Sequence, residues 1–188
     1  MIPNLEEARE LLKEYNKGDF HLLHGEVVSG IMGYFACQYD PENVDYWAAV
    51  GMLHDIDFEL YPEEHCAKCY ELLRAHGIDD QMIRSIVSHG YGRLDWVAVR
   101  PELQMEKILF ATDELSGLIG ACAMVRPSKS VRDMDVSSIK KKFKKKEFAA
   151  GCCREDMVNG AEMLNITLDE LMQITLDAMK SLADALGI

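Results

Sequence analysis

Residues 19–38, DFHLLHGEVVSGIMGYFACQ, carry the pattern that decides the fold class. Their apolar side chains recur at the spacing of one helix face, and the face comprises Val27, Val28, Ile31, Met32 and Phe35. Asp19 is of a residue type that caps helix N-termini, and Pro41 interrupts the chain after the segment. The stretch therefore predicts a long helix with one face buried in a hydrophobic core.

The same helical spacing recurs along the rest of the chain, between proline and glycine residues that interrupt it, and alternating β-type patterns are nearly absent. Further helices are expected at residues 4–16, from about 43, at 62–77, from 79 or 80 to 90, at 102–125, in the lysine-rich segment and from about 168. The sequence thus predicts an all-α protein built as a multi-helix bundle.

Length and composition narrow the class of protein. A chain of 188 residues suits a single domain, in which we expect a metal-ligand region at about 20–125 and a C-terminal helical extension at about 126–188. The N-terminal residues lack the basic and apolar regions of an export signal, and no apolar run approaches the roughly 20 residues that span a bilayer. We therefore expect a cytoplasmic protein that has no membrane partner and whose six cysteines are reduced. The net charge of −12 argues against nucleic acid as a partner.

Polar side chains fall on predicted helix faces that the pattern assigns to the core. His24 lies on the buried stripe described above, His54 follows Val50 by four positions, and Asp55 is its neighbour. Asp113 shares a face with small residues, where an unpaired carboxylate would be unfavourable. A single buried histidine is usually a hydrogen-bonded core residue. Two imidazoles and two carboxylates from three helices instead predict a divalent metal site, because a cation offsets the cost of burying them together.

These residues also resemble a known family. The segment GMLHDIDFE at residues 51–59, a histidine about thirty residues upstream in LLHGEVVSGIMGYFA and an aspartate downstream in FATDELSGLI look like the HD superfamily of metal-dependent phosphohydrolases. The segment SSIKKKFKKKEFAAGCCRE and the SHG around His89 are similar to the short single-domain bacterial HDIG-type proteins. The resemblance implies an HD-domain fold and the hydrolysis of a nucleotide or another small phosphate ester by a metal-activated water.

The resemblance also implies roles for individual residues. The ligands of one ion would be His24, His54, Asp55 and Asp113. Some HD proteins bind a second ion through two more histidines, and His65 and His89 occupy the corresponding interval, so the sequence leaves open whether one ion or two are bound. The ion is left open among Mn, Fe, Co, Ni, Mg and Zn.

Two aspartates are candidate catalytic residues. Asp113 is expected to bridge the water and the metal. Asp57, three positions after His54, is a candidate general acid or base, and its alternative role is to accept a hydrogen bond from a ligating histidine.

A lysine-rich segment at residues 139–147 contains six lysines and one glutamate. Ile139 and Phe143 are four positions apart, which indicates an amphipathic helix whose basic faces are either solvated or bind substrate phosphate. The phosphate-binding candidates are Lys141, Lys142, Lys145 and Arg154. The expected partner is a small phosphorylated molecule, and the sequence leaves the oligomeric state open.

Two other functions fit the same residues. An HD-type di-iron oxygenase requires His65 and His89 as ligands, and a non-catalytic metal-binding or ligand-sensing module would use its ion for folding. Cys66 and Cys69 have no second pair at zinc-finger spacing, so we interpret them as two small buried side chains within a helix.

Overall fold

A computed structural model describes all 188 residues and confirms the all-α prediction. The chain forms nine α-helices and no β-strand. The helices are α1 (Leu5–Tyr15), α2 (Asp19–Tyr39), α3 (Val44–Leu53), α4 (Ala67–Ala75), α5 (Asp80–Val87), α6 (Gln104–Met124), α7 (Val136–Phe143), α8 (Arg154–Met163) and α9 (Leu168–Leu186). Single 3-10 turns are found at Pro41–Asn43, Pro62–Glu64 and Ser88–Gly90. None of the helices is both long enough and apolar enough to cross a membrane.

The contacts between residues divide the chain into two compact units, Met1–Leu109 and Phe110–Ile188. In the first unit α2 packs on α3, α1 contacts both of them, α4 packs on α5, and α5 also contacts α3. In the second unit α9 packs against α7 and α8. The expected single domain with a C-terminal extension stays a prediction.

Several helix ends follow from local hydrogen bonding. The Asn4 side chain accepts a hydrogen bond from the Glu7 N–H, and the Glu7 carboxylate accepts one from the Asn4 N–H, which satisfies two N–H groups at the start of α1. Thr167 and Glu170 form the same reciprocal pair at the start of α9. Pro41 begins a 3-10 turn directly after α2, as its fixed φ and missing N–H favour.

The contact between α2 and α3 forms the part of the core that supports the candidate site. The inward stripe of α2 predicted from the sequence is buried in the structure: Val27, Val28, Ile31, Met32 and Phe35. Gly51 of α3 allows the close approach, because a Cβ at this position would lie 2.8 Å from Met32 Cγ and 2.9 Å from Val28 O. Since His24 is on α2 and His54 directly follows α3, this contact sets the distance between the two histidines.

A buried carboxylate fastens α5 to the segment that begins α6. Glu106 is fully buried, and its Oε1 accepts hydrogen bonds from the Arg84 guanidinium and, at 2.9 Å, from Ser85 Oγ. Its Oε2 accepts from two backbone N–H groups at 2.8 and 3.1 Å. Burial raises the pKa of Glu106, but these donors outweigh it and hold the pKa below its usual value. These hydrogen bonds to Glu106 hold α5 in place just before the turn that carries His89.

Two parts of the helix prediction are wrong. The helix expected at 62–77 begins only at Ala67, as α4, since Pro62 begins a 3-10 turn and Cys66 adopts a φ of 64°. His65 and Cys66 therefore lie on a loop. Helix α8 was not predicted at all. Its N-cap residue, Cys153, makes no capping hydrogen bond through its side chain, and the helix buries few apolar side chains.

We predict that Gly51→Ala destabilises the protein by about 1–3 kcal/mol, because the new methyl group overlaps backbone and side-chain atoms of α2. The measurement is the free energy of unfolding in denaturant. Gly33→Ala is the matched control on α2, since its Cβ would have only ordinary contacts at 3.8 and 3.9 Å. Alanine should stabilise that helical position by up to about 1 kcal/mol. Equal effects of the two substitutions would contradict the close approach at Gly51.

Candidate metal centre

Four segments of the first unit bring together side chains that can ligate metals. His24 lies on α2, and His54 and Asp55 directly follow α3. The remaining two segments are the loop before α4, which carries His65 and Cys66, and the 3-10 turn after α5, which carries His89. His54, His65, Cys66 and His89 are buried, whereas His24 and Asp55 are partly buried.

The first group of ligand atoms consists of His24, His54 and one oxygen of Asp55. The Nε2 atoms of the two histidines lie 3.1 Å apart. Asp55 Oδ2 lies 3.6 Å from His24 Nε2 and 3.4 Å from His54 Nε2. This group, which we call the first position, could hold a metal ion and contains three of the four ligands predicted from the sequence.

The second group lies at the other oxygen of Asp55. The Nε2 atoms of His65 and His89 are 3.1 Å apart, and they lie 3.4 and 3.5 Å from Asp55 Oδ1. Cys66 Sγ lies 3.5 Å from His65 Nε2 and 3.8 Å from His89 Nε2. This second position could also hold a metal ion. Asp55 therefore presents one carboxylate oxygen to each position.

The histidine tautomers show why this arrangement suits a cation. His54 Nδ1 lies 2.8 Å from Gly51 O, and His89 Nδ1 lies 2.6 Å from Ile86 O. Because a carbonyl oxygen can only accept, each Nδ1 carries the hydrogen, and in the neutral ring Nε2 carries a lone pair instead. These lone pairs converge with the oxygens of Asp55, which are also acceptors. Acceptor atoms this close together repel one another unless a cation or a proton lies between them.

The close approach of these groups also shifts the pKa values of His65 and Asp55. Burial lowers the pKa of His65, but its hydrogen bond to Asp57, with further help from Cys66 and Asp55, outweighs burial and raises the pKa to about 9. Burial also opposes ionisation of Asp55, yet His54, His89 and His65 hold its pKa well below the usual value. A proton on His65 competes with a metal ion for the same lone pair, so metal binding should release protons.

Asp57 is fully buried and orients a histidine. Its Oδ1 accepts a hydrogen bond from His65 Nδ1 at 2.8 Å, and its Oδ2 accepts one from the Cys69 N–H at 2.9 Å. Since protein donors reach both oxygens, Asp57 orients the ring of a candidate ligand, which is the second of the two roles considered for it. Its role as a general acid or base stays a prediction.

Cys66 is the candidate ligand that the sequence analysis missed. Both Cys66 and Cys69 are buried, as expected, but only Cys66 belongs to the cluster. Burial raises the pKa of the Cys66 thiol, but His89 and His65 outweigh it and lower the pKa to about 7. Burial and the carboxylate of Asp57 raise the pKa of Cys69 well above its usual value. The sequence feature that could have identified Cys66 as a ligand is its position next to His65.

The other predicted site residues lie in the second unit. Asp113 is buried on α6, and its role as a ligand or catalytic residue stays a prediction. Arg154 donates hydrogen bonds to three backbone carbonyls of the loop before α8, those of Phe148, Ala149 and Cys152, so the guanidinium stabilises this loop.

The lysine candidates also lie on or near α7. Lys142 Nζ stands 4.3 Å from the centre of the Phe148 ring, and Lys141 and Lys145 are exposed. Lys145 lies just beyond the end of α7 at Phe143. The phosphate-binding role of the lysines and Arg154 stays a prediction.

No protein-family model matches the chain, and comparisons with curated proteins and with solved structures found no match. The resemblance to HD proteins therefore stays a prediction, and the geometry of the cluster is the evidence for a function.

We predict that Asp57→Asn weakens metal binding at the second position by roughly 10–100-fold, the range typical for the loss of a residue that orients a ligand. The asparagine NH₂ group would face one of the two donors that Asp57 now accepts from. The measurement is zinc affinity by competition with a chromophoric chelator.

The matched control is Glu59→Gln, because the Glu59 carboxylate accepts hydrogen bonds from the backbone N–H groups of Lys17 and Gly18, outside the cluster. Thermal unfolding establishes that both variants are folded. Unchanged zinc affinity in a folded Asp57→Asn variant would rule out the orienting role.

Proposed function

We propose that this chain is a metal-dependent phosphohydrolase that binds two divalent ions on either side of Asp55 and acts on a nucleotide or another small phosphate ester. The observation that carries the proposal is the sharing of Asp55, whose Oδ2 faces His24 and His54 while its Oδ1 faces His65 and His89. A carboxylate between two ligand groups is suited to a pair of ions a few ångströms apart.

The donor set fits divalent transition metals. Imidazole nitrogens and a carboxylate suit Mn, Fe, Co, Ni and Zn, whereas Mg²⁺ favours oxygen ligands. Each position draws few ligands from the first unit, and a catalytic site differs from a closed structural site in keeping coordination positions for water and substrate. The donor set therefore fits a catalytic metal centre, and it fits a structural metal site equally well.

The chemistry supplied by two bound divalent ions would be a lowered pKa of a bound water and stabilisation of the attacking and leaving oxygens at phosphorus. The chain's own contribution is to hold its ligands in fixed orientations. His54 and His89 are fixed by backbone carbonyls, and His65 is fixed by Asp57. These contacts keep each Nε2 lone pair directed into the cluster, so the protein need not reorganise when metal binds.

We predict that the wild-type protein binds two divalent ions per chain and releases phosphate or an alcohol from at least one member of a panel of phosphomonoesters and phosphodiesters. The panel is assayed with added manganese, cobalt, nickel, zinc or magnesium, and elemental analysis counts the ions. Asp55→Asn should lose both ions and reduce turnover by at least about 100-fold, because it removes the carboxylate that lies between the two positions.

His21→Gln is the matched control for His24→Gln. His21 lies one helical turn earlier on α2, and its ring contacts Phe58 outside the two groups. We expect His24→Gln to lose activity and His21→Gln to keep it. If metal-loaded wild-type protein hydrolyses none of the esters, the proposed reaction is wrong even if the ions bind.

The same cluster favours a second candidate, the HD-type di-iron oxygenase, because that function requires His65 and His89 as ligands and both lie in the cluster. Metal dependence separates the two functions. Phosphoester hydrolysis with zinc or manganese supports the hydrolase, whereas oxygen consumption only by the iron-loaded protein supports the oxygenase.

A non-catalytic module would instead lose thermal stability with chelator and turn over no ester.

A further inference from the structure

We infer that Cys66 is a thiolate ligand at the second position, which would then bind its ion through two imidazoles, one thiolate and Asp55. Such a position prefers zinc or cobalt to magnesium or manganese, because a thiolate is a soft ligand. The inference depends on the proposed function only in taking the second position as a metal site.

The distances within the group match a tetrahedral ion. An ion about 2.0–2.1 Å from nitrogen and about 2.3 Å from sulfur holds two nitrogens about 3.4 Å apart and a nitrogen and a sulfur about 3.6 Å apart. The structure has 3.1 Å between the Nε2 atoms of His65 and His89, and 3.5 and 3.8 Å from these atoms to Cys66 Sγ. Asp55 Oδ1 lies 3.4 and 3.5 Å from the same nitrogens, which is close to the nitrogen–oxygen separation of two ligands on one ion.

The backbone at Cys66 is strained. Cys66 has φ 64° and ψ −35°, a positive-φ conformation that a residue with a Cβ rarely adopts. The following residue already begins α4, so the strain is confined to this one position. A side chain kept at such a position is consistent with a requirement for the sulfur.

A glycine on the opposite segment leaves room for that sulfur. A Cβ added at Gly90 would lie 2.8 Å from Cys66 Sγ, closer than real Cβ contacts allow. Gly90 directly follows His89, so the turn that supplies one nitrogen ligand also makes space for the thiol. The space and the strained backbone are independent features, and both concern the same sulfur atom.

Cys69 provides an internal comparison. It is as deeply buried as Cys66 and lies three residues later, but its Sγ donates to His54 O at 3.7 Å and belongs to neither position. Burial alone therefore does not place a sulfur in the cluster. Binding of an ion by Cys66 would release the thiol proton to solvent and leave the thiolate on the metal.

The two positions would then differ in chemistry. The first is built from imidazole nitrogen and carboxylate oxygen, whereas the second adds sulfur. We expect zinc to fill the second position before the first when the protein is loaded with one equivalent, and manganese added afterwards to bind at the first.

The test is X-ray absorption at the zinc edge of full-length protein loaded with one equivalent of zinc, together with the near-ultraviolet thiolate-to-cobalt band of the cobalt form. Wild type should show a sulfur neighbour about 2.3 Å from zinc and the cobalt band. Both signals should vanish in Cys66→Ser. They should persist in Cys37→Ser, because Cys37 is exposed and outside the cluster.

Each outcome separates this inference from the proposed function. If wild type binds two ions but zinc has only nitrogen and oxygen neighbours, the Cys66 inference is overturned and the hydrolase proposal stands. A sulfur neighbour that remains in Cys66→Ser also overturns it, since another cysteine then supplies the ligand. If wild type binds no metal, both proposals fail. Should Cys66→Ser not fold, Cys66→Ala makes the same comparison, and a wild-type spectrum without a sulfur neighbour overturns the inference by itself.

Discussion

The carboxylate of Asp55, shared between two groups of ligands, is the interaction on which the candidate site depends. Each of its oxygens faces a pair of imidazole nitrogens that lie 3.1 Å apart. Four separate segments must therefore be held within a few ångströms of one side chain. Gly51 contributes twice, because its missing side chain lets α3 approach α2 and its carbonyl oxygen accepts a hydrogen bond from His54 Nδ1. Helix packing and ligand orientation are thus coupled at one residue.

This arrangement also carries an energetic cost that the fold must offset. Imidazole nitrogens and carboxylate oxygens are buried with their lone pairs directed at one another, which is unfavourable without a positive charge among them. In the absence of metal a proton can supply that charge, and the raised pKa of His65 is consistent with this role. Metal and proton therefore compete, and the strained backbone at Cys66 adds to the cost. Sites of this kind are better explained by function than by stability.

Helical periodicity in the sequence was enough to predict the residues of the candidate site that lie on helices or directly follow them. The inward stripe of α2 and the position of His54 after α3 follow from three- and four-residue spacing, so His24, His54 and Asp55 could be identified together. His65, Cys66 and His89 lie on a loop and a 3-10 turn, where periodicity gives no direction for a side chain. The predicted helix from Pro62 put Cys66 in a helix interior, and the positive φ that overturns this prediction has no signature in the residue type. The pairing of Asp57 with His65 depends on the same loop and was considered only as an alternative role.

The most direct test is a crystal structure of the manganese- or zinc-loaded protein with anomalous diffraction measured at the metal edge. The account predicts two anomalous peaks about 3.5–4 Å apart, as in two-metal hydrolytic sites, with Asp55 between them. One peak should lie beside His24 and His54 and the other beside His65 and His89. A single peak at saturating metal, or peaks away from Asp55, would contradict it.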